Sequence, residues 1–97
     1  VGSFPVTPES QIIGNQISRS ATSMAANYRA GCLAKSKRDF INKMKIVEEE
    51  CDETILWLEF VVELGYFQPE KVTPVTQEAR ELFSIIVAST KTARKNQ

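Results

Sequence analysis

The sequence predicts an all-α fold, an antiparallel up-and-down helical bundle formed by one domain over residues 1–97. Three segments repeat apolar residues every three or four positions, which is the period of an α-helix. Thr-Pro dipeptides mark two helix starts, and Gly65 marks a helix end. From these observations we expect three helices, near residues 8–33, 36–64 and 74–94.

The first predicted helix has a well-defined start. Thr7 can cap the helix, and Pro8 takes the first helical position, where a missing N–H costs nothing. Gly31 is a candidate helix end, although residues 32–34 could add a turn. The apolar face consists of Ile13, Ile17, Ala21, Met24 and Tyr28.

The second predicted helix carries more apolar residues than one neighbouring helix can cover. Ser36 followed by Asp39 is a capping pattern that marks its start. Its main apolar stripe consists of Phe40, Met44, Val47, Cys51, Ile55, Leu58 and Val62. Other faces carry Leu56, Trp57, Phe60 and Val61. We therefore expect this helix to be central to a bundle or to a subunit interface. The four residues are the candidate oligomer interface if another copy of the chain covers them, and a foreign helix could cover them instead.

The third predicted helix begins at Thr73-Pro74, which repeats the start of the first helix. Residues 66–73 are predicted to form a loop, because Pro69 disfavours a helix there. Near the end of this helix lie Lys91, Arg94 and Lys95, where cations oppose the negative helix terminus. For these three residues, a helix-end role and a binding role both remain open.

Charge is unevenly distributed along a chain that is neutral overall, with 12 basic and 12 acidic residues. Residues 46–63 contain only acids among their charged residues, whereas residues 19–45 contain a single acid, Asp39. The basic residues of that segment are Arg19, Arg29, Lys35, Lys37, Arg38, Lys43 and Lys45. They form a predicted patch for RNA or DNA phosphates. The alternative is a solvated face balanced by acids on a neighbouring helix.

Arg19 has two interpretations of its own. It could bind phosphate as part of the patch, or it could form a structural ion pair with Glu50 or Glu53 of the second helix. We favour the ion pair, because Arg19 lies on a face of small residues that a second helix can approach closely.

The absence of histidine limits the chemistry available to this chain. Without histidine, a zinc site, a bundle-type di-iron site and a histidine-activated thiol nucleophile are not expected. Cys32 and Cys51 are predicted to be buried reduced thiols, which suits the cytoplasm. No apolar run reaches the roughly 18 residues of a membrane span, and the start lacks the features of a signal peptide. We expect a non-enzymatic protein with no cofactor, no metal and no membrane association.

One acidic segment supports an alternative function. Residues 49–53 follow the pattern Glu-Glu-x-x-Glu, which resembles part of the magnesium site of all-α nucleotide pyrophosphatases. Carboxylates at this spacing can hold magnesium, which in turn binds the phosphates of a substrate. The second acidic motif that such a site requires is only approached by Glu78-x-x-Glu81.

The order of several short motifs resembles a known family. The motifs are Gln16-Ile17-x-Arg19-x-Ala21-x-Ser23-x-x-x-Asn27, Gly31, Ser36-x-x-Asp39-Phe40 and Leu64-Gly65-Tyr66. Across roughly residues 5–93 the chain is similar to small four-helix bundle proteins encoded in intervening sequences of bacterial large-subunit ribosomal RNA. The accessory protein of diversity-generating retroelements is similar to the same group.

The resemblance implies a bundle of four helices that assembles into a ring, commonly a pentamer. The retroelement relatives bind nucleic acid and a reverse transcriptase, so a larger protein partner is also implied. Members of the family have a helix before the dipeptide found here as Phe4-Pro5, and this sequence is expected to lack it. Arg29 stands near a position where that family often has an acid, which favours a polyanion ligand.

Overall fold

A computed structural model describes residues 7–96, which form three α-helices and no strand. These are α1 (Pro8–Cys32), α2 (Lys37–Glu63) and α3 (Pro69–Lys95). The all-α prediction is confirmed. Phe4 and Pro5, and any helix before them, lie outside the described residues.

The predicted caps hold the starts of the first two helices. At α1 the Ser10 amide donates to Thr7 Oγ1 (3.1 Å), and the Thr7 amide donates to Ser10 Oγ (2.8 Å). At α2 the Asp39 amide donates to Ser36 Oγ (3.0 Å). Each bond satisfies a backbone donor that the first helical turn leaves without a partner.

The turn after α2 depends on a glycine. Gly65 has φ +74°, a conformation that side-chain-bearing residues adopt at a cost. Its amide donates to the Val62 carbonyl (3.0 Å), and the Tyr66 amide donates to the Val61 carbonyl (3.1 Å). This pair of bonds is the Schellman motif, so the predicted helix end at Gly65 is confirmed.

The predicted start of the third helix is wrong. α3 begins at Pro69, five residues before Pro74, so most of the predicted loop is helical. Pro69 occupies the first helical position after an extended Gln68, which is the conformation favoured before proline. Pro74 lies in the second turn, where it has no N–H to donate to the Glu70 carbonyl.

The helix α2 lies between the other two. No Cα atom of α1 approaches within 8 Å of a Cα atom of α3 in the described residues. Along α1 and α2, Ser20 Oγ and Thr54 Oγ1 form a buried hydrogen bond of 2.8 Å. α1 continues to Cys32, so Gly31 lies within the helix and not after its end. A Cβ at Gly31 would overlap Cε of Met44, so the glycine permits close packing of α1 and α2 there.

The core lies along α2 in two clusters, each with contributions from α2 and α3. One cluster joins Ile13, Val61 and Val72, and the other joins Met44, Val47 and Ile86. These contacts bring the start of α1, the end of α2 and the start of α3 to one end of a molecule 46 Å long.

The two cysteines occupy different environments. Cys51 is buried, its Sγ–H donates to the Ala79 carbonyl (3.4 Å), and burial raises the pKa of its thiol. Cys32 is exposed, so the prediction that both thiols are buried is wrong for Cys32. Both are free cysteines.

Across residues 7–96, no helix is both long enough and apolar enough to cross a membrane.

Candidate nucleic-acid interface

Nine basic residues from all three helices lie at one end of the molecule. The Lys37 ammonium donates to the Asn96 carbonyl, so the start of α2 meets the end of α3. The end of α1 joins them through the four-residue turn 33–36. We call this surface the basic end, and its members are Arg29, Lys35, Lys37, Arg38, Lys43, Lys45, Lys91, Arg94 and Lys95.

The side chains of the basic end form no ion pair within residues 7–96. Eight of the nine side chains are exposed, and Lys43 is half-buried. The ion pairs among residues 7–96 involve only Arg19 and Arg80 as cations, and neither belongs to the basic end. Asp39 is the single acid in the segments that supply these residues. The alternative of a face balanced by acids on a neighbouring helix has no ion pair to support it, although Lys45 and Arg94 share a cleft with acids of α2.

The border of the basic end is marked by a cleft of about 540 Å³ between α2 and α3. Lys45 and Arg94 line it on the basic side, and Glu48, Glu49 and Asp52 line it on the acidic side. The sign of the surface charge therefore changes within one cleft.

Six of the seven residues predicted for the patch lie in the basic end, and Arg19 does not. Arg19 Nη1 lies 3.1 Å from Glu50 Oε2, and Nη2 forms a second ion pair with Glu53. These bonds join α1 to α2 about 20 Å of helix away from the end of α1. The predicted ion pair of Arg19 with Glu50 or Glu53 is confirmed, and it forms with both.

Sequence reasoning did not assign Lys91, Arg94 and Lys95 to the patch. Their own segment explains them equally well as cations at a helix end. An up-and-down order of helices predicts their position, because it places the end of the third helix beside the start of the second.

Tyr28 lies one residue before Arg29 and is 48% exposed, so this member of the predicted apolar face does not lie in the core. Its pKa is raised, chiefly by a hydrogen bond with Cys32. The exposed ring lies close to the basic end and is available to stack on a base.

The carboxylates of the magnesium alternative do not converge. Glu50 and Glu53 bind Arg19 on the α1 side of α2, whereas Glu49 lines the cleft on the α3 side. Among residues 7–96 no group of three Asp, Glu, Cys or His side chains could hold a metal ion. Nothing in this arrangement supports the pyrophosphatase alternative.

The predicted oligomer interface is only partly exposed. Leu56 and Phe60 are 46% and 37% exposed, and Leu64 extends the same row at 47%. Trp57 is half-buried, with its ring centroid 5.7 Å from that of Phe60. Val61 is 2% exposed and packs against Ile13 and Val72, so it cannot contribute to a surface between copies. We call Leu56, Trp57, Phe60 and Leu64 the outer face of α2.

Comparison with known proteins identifies the family. The model of the 23S rRNA-intervening sequence protein family matches residues 1–88. The chain is similar to a protein of unknown function from the S23 ribosomal protein family, from Bacteroides thetaiotaomicron, which has a crystal structure. The two sequences are 34% identical, and the two structures superpose with a TM-score of 0.79. The similarity covers 82% of this chain and 74% of that chain. None of the curated proteins matches the chain. The predicted resemblance is confirmed, and the chain belongs to the 23S rRNA-intervening sequence protein family.

Proposed function

We propose that this chain is a non-enzymatic helical protein that binds nucleic acid through its basic end. The observation that carries the proposal is the convergence of nine basic side chains, none ion-paired in the described contacts, from three helices and the turn between α1 and α2. Cations on a rigid surface displace the counterions that surround phosphates, and the released ions drive binding.

The binding we propose does not depend on base sequence. Phosphate contacts by Lys and Arg position a protein on nucleic acid without distinguishing bases, and the basic end consists mainly of such residues. Tyr28 adds a stacking surface that accepts any base, which favours a ligand with unpaired nucleotides near that residue.

The proposal is tested by reversing charges that have no structural partner. In the variant Lys35→Glu/Arg38→Glu/Lys91→Glu, one residue changes in the turn, one in α2 and one in α3. We expect weaker binding of an RNA or DNA oligonucleotide in fluorescence anisotropy. A plot of the logarithm of the association constant against the logarithm of the salt concentration has a negative slope. Its magnitude should decrease by about 0.7 to 0.9 for each phosphate contact that is lost.

A matched control uses single substitutions. Arg38→Glu and Lys71→Glu each reverse one exposed charge, but Lys71 lies at the opposite end of the molecule. Only Arg38→Glu should weaken binding. Equal affinity of the triple variant and the unchanged protein would remove the basic end as the binding site.

We further propose that the chain assembles with itself through the outer face of α2, into the pentameric ring that the family resemblance implies. Three apolar side chains of that face are between 37% and 47% exposed. Contact between apolar surface and water is unfavourable, and burial against another copy would remove it. A ring would repeat the basic end around an axis and multiply a weak phosphate contact. A larger enzyme such as a reverse transcriptase is the protein partner that the resemblance suggests.

A further inference from the structure

The end of the molecule opposite the basic end carries acidic side chains. Glu9 lies in the first turn of α1, Glu63 is the last residue of α2, and Glu70 lies in the first turn of α3. The basic residues of this end are Lys71 and Arg80, and Arg80 forms an ion pair with Glu59. Two surfaces of opposite charge therefore lie at the two ends of a chain with no net charge.

A cleft of about 510 Å³ opens between α2 and α3 at this acidic end. The apolar side chains of Leu58, Val62 and Val72 line it, and all three are half-buried or buried. The exposed carboxylates of Glu59 and Glu63 line it as well, together with Arg80, which is ion-paired with Glu59. The cleft thus has an apolar floor and a rim of two carboxylates and one guanidinium, with a net negative charge.

The basic end presents an apolar side chain at its tip. Leu33, in the turn between α1 and α2, is 70% exposed, the largest fraction among the exposed large apolar residues of the described chain. Its amide donates to the Arg29 carbonyl (3.2 Å), which fixes the turn. Arg29, Lys35 and Lys37 lie within four residues of it in the sequence and are exposed, so an exposed apolar side chain belongs to the same turn region as basic residues.

We propose that the basic end of one copy docks on the acidic end of a second copy, with Leu33 entering the cleft between α2 and α3. The two surfaces are complementary, because an exposed apolar side chain of the basic end meets an apolar cleft floor, and basic residues meet a rim with a net negative charge. Such a surface pattern, with a buried apolar centre and a polar rim, is typical of protein interfaces. This contact goes beyond the proposed function, and it occupies the same end as nucleic acid.

The contact joins two different surfaces, so it does not close on itself. A head-to-tail contact of this kind adds copies in a line unless a rotation closes a ring. The docking is also sensitive to salt, because its rim charges are exposed and are screened over about 10 Å at 0.1 M salt. It differs in both respects from an apolar contact through the outer face of α2.

The test measures mass by sedimentation velocity at 20 mM and 1 M salt, over a range of protein concentrations. The assembly present at 1 M salt defines the unit. We expect the mass to grow beyond that unit at low salt and to rise with concentration. The variants Leu33→Asp and Glu63→Arg should each abolish that growth. Glu78→Arg, which reverses an exposed acid outside the cleft, should retain it.

Mixing the two disrupted variants provides the decisive experiment. Leu33→Asp retains an intact cleft and Glu63→Arg retains an intact basic end, so together they supply one working copy of each surface. We expect growth beyond the unit to return in the mixture alone. No low-salt growth of the unchanged protein, or growth that survives in both variants, would overturn the proposal. Nucleic-acid binding by Glu63→Arg reports separately on the proposed function, because its basic end is unchanged.

Discussion

At the scale of single residues, two glycines are required for different physical reasons. A side chain at Gly31 would overlap Met44, which is 1% exposed and has little room to move. A side chain at Gly65 would meet nothing within 4 Å, but the backbone there has φ +74°. Gly31 is required by the close packing of two helices, and Gly65 is required by the backbone conformation of a turn.

Substitution should separate these two causes. Gly65→Ala should lower the free energy of unfolding by about 1 kcal/mol, and Gly65→Asn by less, because Asn tolerates the left-handed conformation better. At Gly31 the larger Asn should cost more than Ala, since overpacking costs about 1–3 kcal/mol. Urea denaturation of the four variants measures both orders. The same order at both positions would contradict this distinction.

Arg19 offers a second prediction at this scale. Its ion pairs with Glu50 and Glu53 are partly exposed, so Arg19→Gln should lower the free energy of unfolding by no more than about 1 kcal/mol. Nucleic-acid affinity should remain unchanged, because Arg19 lies outside the basic end. Arg38→Gln, compared under the same conditions by anisotropy and urea denaturation, should show the reverse pattern. A loss of affinity in Arg19→Gln would return Arg19 to the binding surface.

At the scale of the helices, the sequence predicts starts well where local hydrogen bonds decide them. Thr7 and Ser36 cap through side-chain oxygens, and this chemistry can be recognised without knowing the fold. The third helix differs because its first residue follows Gln68, which makes no side-chain cap. Thr73-Pro74 has the better local signal, but the earlier start places Val72 in the core against Ile13 and Val61. Tertiary packing here outweighs local preference.

The outer face of α2 shows the same limit. Residues 55–62 are so rich in apolar side chains that periodicity does not tell which of them face solvent. The positions of α1 and α3 decide it, and they bury Val61 while leaving Leu56 and Phe60 exposed. Leu64 joins the same row four residues after Phe60. It was not predicted to belong to this face, because it lies at the end of the helix beside Gly65.

At the scale of the whole molecule, the outer face of α2 predicts the oligomeric state. Phe60→Glu should reduce the mass in solution, because a carboxylate buried in an apolar interface without a partner is costly. Ile85→Glu is the matched control, since Ile85 is 61% exposed but lies on α3. Light scattering at 1 M salt measures this contact apart from any salt-sensitive one. Full mass in the Phe60 variant would place the interface elsewhere.

The charge pattern of the whole molecule was partly predictable. The basic residues between Arg29 and Lys45 belong to one short segment of the sequence, so they lie near one another in any fold that has a short turn there. Lys91, Arg94 and Lys95 join them only because α3 returns to the start of α2, as the bond from Lys37 to Asn96 shows. Residues far apart in a chain can be assigned to one surface only when the order of the helices is known.

The separation of charge has a consequence for how the protein approaches a ligand. A neutral body whose basic residues cluster at one end of a 46 Å axis, with most acids along the rest of it, has an electric dipole moment along that axis. In the field of a polyanion it experiences a torque before any contact forms, and the torque turns Lys35 and Arg38 toward the phosphates. Because the net charge is zero, the field orients the molecule more than it attracts it, so the polyanion that we propose as ligand would meet the basic end first.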